Sequence, residues 1–168
     1  MIEVYSKLFV GNQSDFDYNV SRRTGWATVH ACKEPYHRQA LGYTGRGASS
    51  NHPEYLVARR GNRLMLNMVD VDNPMFFQKV MIDQALDFIS EMHTNENNVL
   101  VHCNQGESRG PAVALLYMAV RLEALPNDSL EVAEEKFRTL YQNYYPKSGI
   151  RGHLRQYWQQ YRADGKRS

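Results

Sequence analysis

The stretch Val99-Leu-Val-His102-Cys103-Asn-Gln-Gly106-Glu-Ser-Arg109-Gly-Pro111 decides how this chain is read. Three apolar residues in a row suit a central strand, buried on both faces. The cysteine stands where that strand ends. Five residues separate Cys103 from Arg109, and Pro111 opens a helix running towards Leu125. A loop wound into a helix N-terminus aims several backbone N–H groups at one point, which makes an anion site. Gly106 permits backbone angles that a side chain opposes. Arg109 offers a planar fork that matches two phosphate oxygens. Cys103 lies at the centre of this positive field, which favours the thiolate; thiols so placed titrate well below the free value of about 8.5. A thiolate beneath a bound phosphoryl group is set for in-line attack, giving a cysteinyl phosphate. A bare C-x5-R is a weak signal in a chain with two cysteines and 14 arginines. The strand before it, the glycine within it, the serine before the arginine and the helix after it sharpen the signal.

Working outward, Lys7 to Gly11 reads as a short strand closed by glycine, Trp26 to Cys32 as a buried strand, and Leu64 to Val69 as another. Asn73-Pro74 opens a helix, with Asn as N-cap and Pro first inside, whose apolar stripe is Phe77, Met81, Ala85, Phe88 and Met92. Asp128 or Ser129 caps a helix carrying Val132, Phe137, Leu140, Tyr141 and Tyr144; Pro146 and Gly149 break it. A last helix carries Ile150, Leu154, Tyr157, Trp158 and Tyr161. Residues 36–63 read as a long irregular loop holding Arg38, Arg46, Arg59, Arg60 and Arg63. Strands alternating with helices predict an α/β fold, a single domain with a mostly parallel sheet of about four to five strands flanked by helices.

At 168 residues the chain suits one domain with a real core. With 42% apolar and 23% charged residues it does not read as disordered, collagenous or coiled coil. No apolar run approaches the roughly 20 residues of a membrane helix, and the first residues lack the apolar core of a signal peptide. Two cysteines make no disulfide framework and fit a reducing cytoplasm. Cys32 reads as a core thiol. His30, Cys32, His102 and Cys103 lack metal-ligand spacing, so no metal and no cofactor are expected. Net charge is +2, unevenly placed: residues 1–64 hold nine Lys and Arg against five acids, 65–135 hold three against 12, and 136–168 hold eight against one. That balance does not predict a nucleic-acid partner. The basic tail (Lys147, Arg151, Arg155, Arg162, Lys166, Arg167) reads as a solvated helix face before it reads as an anion site. The tyrosine-rich C-terminal third has helical spacing and reads as core.

The phrase VHCNQGESRG resembles the H-C-x-x-G-x-x-R signature of the protein tyrosine and dual-specificity phosphatases. LFVGN near the start and DFI before the VLVHC strand add to the likeness, which covers most of residues 7–145 and is poorest at 36–63. The resemblance implies one catalytic domain over 1–168, with a signature loop at 102–110, an acid loop at 69–74 and a basic variable loop at 36–63. It implies Cys103 as nucleophile. Phosphate would be bound by Arg109 and the backbone N–H groups of Asn104, Gln105, Gly106, Glu107, Ser108 and Arg109. His102 would orient the loop, and Ser108 would brace it. The mechanism needs a general acid, later a base for water. Strand register makes Asp70 the first candidate; counting back from DFI makes Asp72 the runner-up. Most members carry Ser or Thr after the arginine, where this chain has Gly110, which puts the second step in question. The implied activity is metal-independent hydrolysis of phosphotyrosine and phosphoserine/threonine in proteins by a cytoplasmic monomer, with phosphate, sulfate or vanadate as anions for the Cys103 loop. A phosphate-recognition pseudophosphatase and a nucleotide or RNA 5′-phosphatase are the alternatives.

Overall fold

The apolar run at 99–101 is the central strand, and its three residues are fully buried. The computed structural model describes residues 1–166. Six strands form one sheet: β1 (Ile2–Tyr5), β2 (Leu8–Gly11), β3 (Trp26–His30), β4 (Val57–Arg60), β5 (Arg63–Leu66) and β6 (Asn98–His102). Their order is β1-β2-β6-β3-β5-β4. The inner four run parallel, and the two edges pair antiparallel. The helices are α1 (Gln13–Asp15), α2 (Arg38–Leu41), α3 (Lys79–Thr94), α4 (Arg109–Val120), α5 (Leu130–Leu140) and α6 (Ser148–Gly165). Helices α3 and α4 pack against the sheet, and α5 and α6 pack against α4. Every residue of α4 is buried, as its apolar sequence after Arg109 demands. Two wide helical turns, 16–20 and 33–37, lie against β6 and against β3 and β5.

Several boundaries differ from the sequence expectation. The two edge strands were not expected; each buries one residue well, Val4 and Ala58, too little for a period to show. The β4 strand and α2 fall inside the stretch expected to be irregular. Asn73 caps a 3-10 turn (Pro74–Phe76), its Oδ1 accepting from Met75 N–H at 3.0 Å. Phe77 and Gln78 are extended, so α3 starts only at Lys79 and Phe77 lies outside it. Helix α4 opens at Arg109 rather than Pro111, whose missing N–H costs nothing in a first turn. Ser129 is the cap of α5, which stops at Leu140, short of Tyr141 and Tyr144. Gly149 lies inside α6 rather than breaking a helix, where it lets α6 pack against the Val71 carbonyl. Tyr141, Tyr144, Trp158 and Tyr161 are core residues, as expected, but Tyr145 is 69% exposed: beyond the end of α5 the helical spacing no longer sets which side chains point inward.

Parallel strands deliver their C-terminal ends to one edge of the sheet, where open α/β folds place ligands. Here that edge gathers Asn12 and Gln13 after β2, Ala31 to Glu34 after β3, Asn67 to Asp70 after β5, and Cys103 after β6.

Candidate active site

Cys103 follows β6 directly and is 2% exposed. The next five residues wrap into the start of α4. Among the described residues, no backbone N–H of 104 to 108 donates to another part of the fold, so these donors stay open. Gly106 holds a φ of +75°, the left-handed region that side chains resist. The loop is braced from outside. Tyr141 Oη donates to the Gly106 carbonyl at 2.7 Å. Tyr145 N–H donates to the Glu107 carbonyl at 2.8 Å. Ser108 Oγ accepts from Lys147 N–H at 3.0 Å. Asn104 Nδ2 donates to Gln13 Oε1 at 3.2 Å and to the Glu34 carbonyl at 2.9 Å, tying the loop to the ends of β2 and β3. The Gln105 and Glu107 side chains face solvent.

The Arg109 side chain is 8% exposed. It donates to the Met68 carbonyl and to Asn104 Oδ1, both at 2.9 Å. Its Nε is buried without a hydrogen-bond partner. Across a gap of 3.6 Å lies Asp70 Oδ1, equally unpartnered. That separation exceeds a hydrogen bond. An acid and a cation thus face each other beside the mouth of the loop. Lys147 Nζ holds the other Asp70 oxygen at 3.1 Å. Asp72 is not brought there: its Oδ1 accepts from Ser148 Oγ at 3.0 Å, as a helix-start partner would. Of the two sequence candidates, Asp70 is the one that meets Arg109.

At Gly110 the helix start presses on the strand. A β-carbon would stand 2.6 Å from the His102 carbonyl carbon and 2.8 Å from the Cys103 nitrogen. No side chain, and so no hydroxyl, fits at this position without backbone movement.

His102 is fully buried, and one ring nitrogen, Nδ1, lies 3.2 Å from the Cys103 carbonyl. The other, Nε2, lies 2.6 Å from Nδ1 of His30, itself fully buried. Arg63 Nε donates to His30 Nε2 at 3.0 Å. Burial holds His102 down to about 4 and His30 well below its ordinary range. Cys32 is fully buried, as expected of a core thiol, and burial pushes it up to about 12. Among the described residues no group of three or more His, Cys, Asp or Glu could hold a metal ion.

His30, Tyr141 and the approach of Lys147 to Asp70 were not read from the sequence as site features, and Arg63, read with the loop arginines as a residue for acidic substrate flanks or a solvated one, is turned to His30 instead. His30 alone left a signal, since it ends a strand of the same type as His102. The basic residues find mostly internal partners. Arg38 pairs with Glu34, Arg59 with Glu91 and Arg60 with Glu54. In the tail, Arg151 pairs with Glu134 and Arg155 with Glu131; Arg167 lies outside the described residues. No described helix is long and apolar enough to cross a membrane.

No family model matches the chain. A stretch of 74 residues is 30% identical to the human dual specificity protein phosphatase 16, covering 43% of this chain and 11% of that protein. The human tyrosine phosphatase-like serine/threonine/tyrosine-interacting protein superposes with a TM-score of 0.65 at 19% identity, over 96% of this chain and 97% of that one. Human DUSP28 superposes with a TM-score of 0.64 at 15% identity, over 98% and 94%. PTPMT1 does so at 0.61 and 15%, over 99% of both. The chain therefore has the fold of the protein tyrosine and dual-specificity phosphatases, the superfamily that its Cys103 loop resembles.

Proposed function

We propose that this chain is a single-domain cysteine-dependent phosphatase that hydrolyses phosphotyrosine and phosphoserine/threonine in proteins. The observation that carries the reading is the facing of Asp70 and Arg109 beside a loop of open N–H donors that starts at Cys103. A phosphate dianion, or sulfate or vanadate in its place, would sit on the N–H groups of Asn104 to Arg109 and the guanidinium of Arg109. Cys103 Sγ attacks phosphorus in line, and the P–O bond to the leaving group breaks. Asp70 gives its proton to the leaving oxygen. Asp70 then takes a proton from water, whose oxygen displaces Cys103 and releases phosphate. His102 and Ser108 position the loop.

A protein substrate suits the surroundings. Lys33 N–H and Arg109 share the Met68 carbonyl, and beyond it opens a cleft of about 440 Å³ lined by Lys33, Arg46, Tyr55, Val69, Met75 and Phe76. Met75 is 84% and Phe76 58% exposed, so a chain flanking the phosphorylated residue would meet apolar and cationic side chains. We infer a cytoplasmic monomer without nucleic-acid or membrane partners.

The test is hydrolysis of p-nitrophenyl phosphate in EDTA. Steady turnover abolished by Cys103→Ser is expected; turnover that survives this change, or that EDTA stops, contradicts the reading. Gly110 favours one second reading, a phosphoenzyme that forms and then stalls. Its mark is a single stoichiometric burst followed by near silence.

A further inference from the structure

We propose that Arg63 and His30 are positioning residues for Cys103, joined to it through His102 in a hydrogen-bond relay of fixed direction. This rests on the reading of Cys103 as the reactive thiolate. The direction follows from the two ends. A guanidinium only donates, so His30 Nε2 must accept from Arg63. Its proton then sits on Nδ1, the nitrogen that faces His102 Nε2. His102 Nε2 therefore accepts, and its own proton sits on Nδ1, facing the Cys103 carbonyl. A carbonyl only accepts, so the far end demands the same arrangement. One tautomer of each ring satisfies all three contacts. A second proton on either ring would set two N–H groups against each other, so both rings stay neutral.

The rings around the relay keep water out. Tyr36 stacks on His30 with centroids 4.0 Å apart, and Phe16 stacks parallel to His102 at 5.5 Å. The Arg63 guanidinium lies over the Phe16 ring, 4.8 Å from its centroid. Bonds in such a setting polarise one another. Each N–H in the series points towards Cys103, and a fixed cation stands at the outer end. The relay thus adds positive potential at the Cys103 backbone and locks the His102 ring against it. The other groups acting on it are Asp17, which accepts from Tyr36 Oη at 3.2 Å, and Asp15, both from the segment after β2. On the Cys103 side stand Cys32, Arg109 and Tyr141.

Arg63 begins strand β5 and is exposed overall, so changing it leaves the core intact. The rate of Cys103 alkylation by iodoacetate, followed against pH, reads the thiolate without any need for turnover. Arg63→Met should move the midpoint up by about half to one pH unit, slowing alkylation below the midpoint by about threefold to tenfold. Arg63→Lys, which keeps charge and donor, should recover most of this. Nitrogen NMR of the wild type should show both His30 and His102 protonated on Nδ1. An unmoved midpoint in Arg63→Met, or an Nε2–H tautomer at either ring, overturns the relay. Should p-nitrophenyl phosphate resist hydrolysis while the midpoint still moves, the phosphatase reading fails and the relay stands.

Discussion

Two aspartates stand two positions apart, and only one of them faces the arginine. Asp70 meets Arg109 and Lys147, while Asp72 serves Ser148 at the start of α6. The substitutions separate accordingly. Asp70→Asn should lower kcat on an alkyl phosphate by about 100-fold or more, the ordinary contribution of a general acid. Asp72→Asn should stay within about threefold, since asparagine keeps an oxygen that accepts from Ser148 and at most weakens a hydrogen bond worth about 1 kcal/mol. Steady-state rates of the two variants decide it. The cysteine, the arginine and the pair of aspartates were legible because their pattern is local, a loop between a strand and a helix. The relay was not: His30 lies opposite His102 only once β3 and β6 are known to be neighbours. Lys147, counted with a solvated tail, reaches Asp70 only because α6 starts beside the acid loop.

Helix α4 owes its position to a glycine. At Gly110 the helix start lies against the backbone joining His102 to Cys103. Alanine there gains about 1 kcal/mol of helix propensity. It loses more, because the β-carbon meets backbone on the strand side, and overpacking of that kind costs about 1–3 kcal/mol. Gly110→Ala should therefore lower stability by up to about 2 kcal/mol in urea denaturation, with Cys103 displaced and turnover falling. Gly110→Ser should do the same rather than supply the missing hydroxyl. The elements that escaped the sequence reading share one cause, too few buried positions to set up a period. Strands β1 and β4 are short edges, and the turn at 74–76 separates the Asn-Pro signal from the helix it was expected to open.

Across the whole molecule, buried histidines shape the response to mild acid. Burial depresses His102 and His153 to about 4, and His30 is depressed as well. The folded chain keeps these rings neutral, whereas the unfolded chain protonates them near 6.5. The unfolded state binds more protons between those values, so stability is full above about pH 6.5 and falls as pH drops towards 4. Each of the two groups near 4 contributes about 3 kcal/mol to that loss. Chemical denaturation at a series of pH values should show the decline already under way between about pH 6.5 and 5, above the range where carboxylates take up protons; a flat profile there would mean the rings accept protons where they lie. The central claim is that Cys103 carries the phosphoryl group between the two half-reactions. Its most direct test is the mass of the Asp70→Asn variant, quenched under denaturing conditions during turnover of p-nitrophenyl phosphate. That leaving group needs little acid, while loss of the base slows the second step, so the intermediate should accumulate. The account predicts one added phosphoryl group, on the peptide containing Cys103 and absent from Cys103→Ser. Turnover with Cys103 unmodified, or a phosphoryl group on another residue, would contradict it.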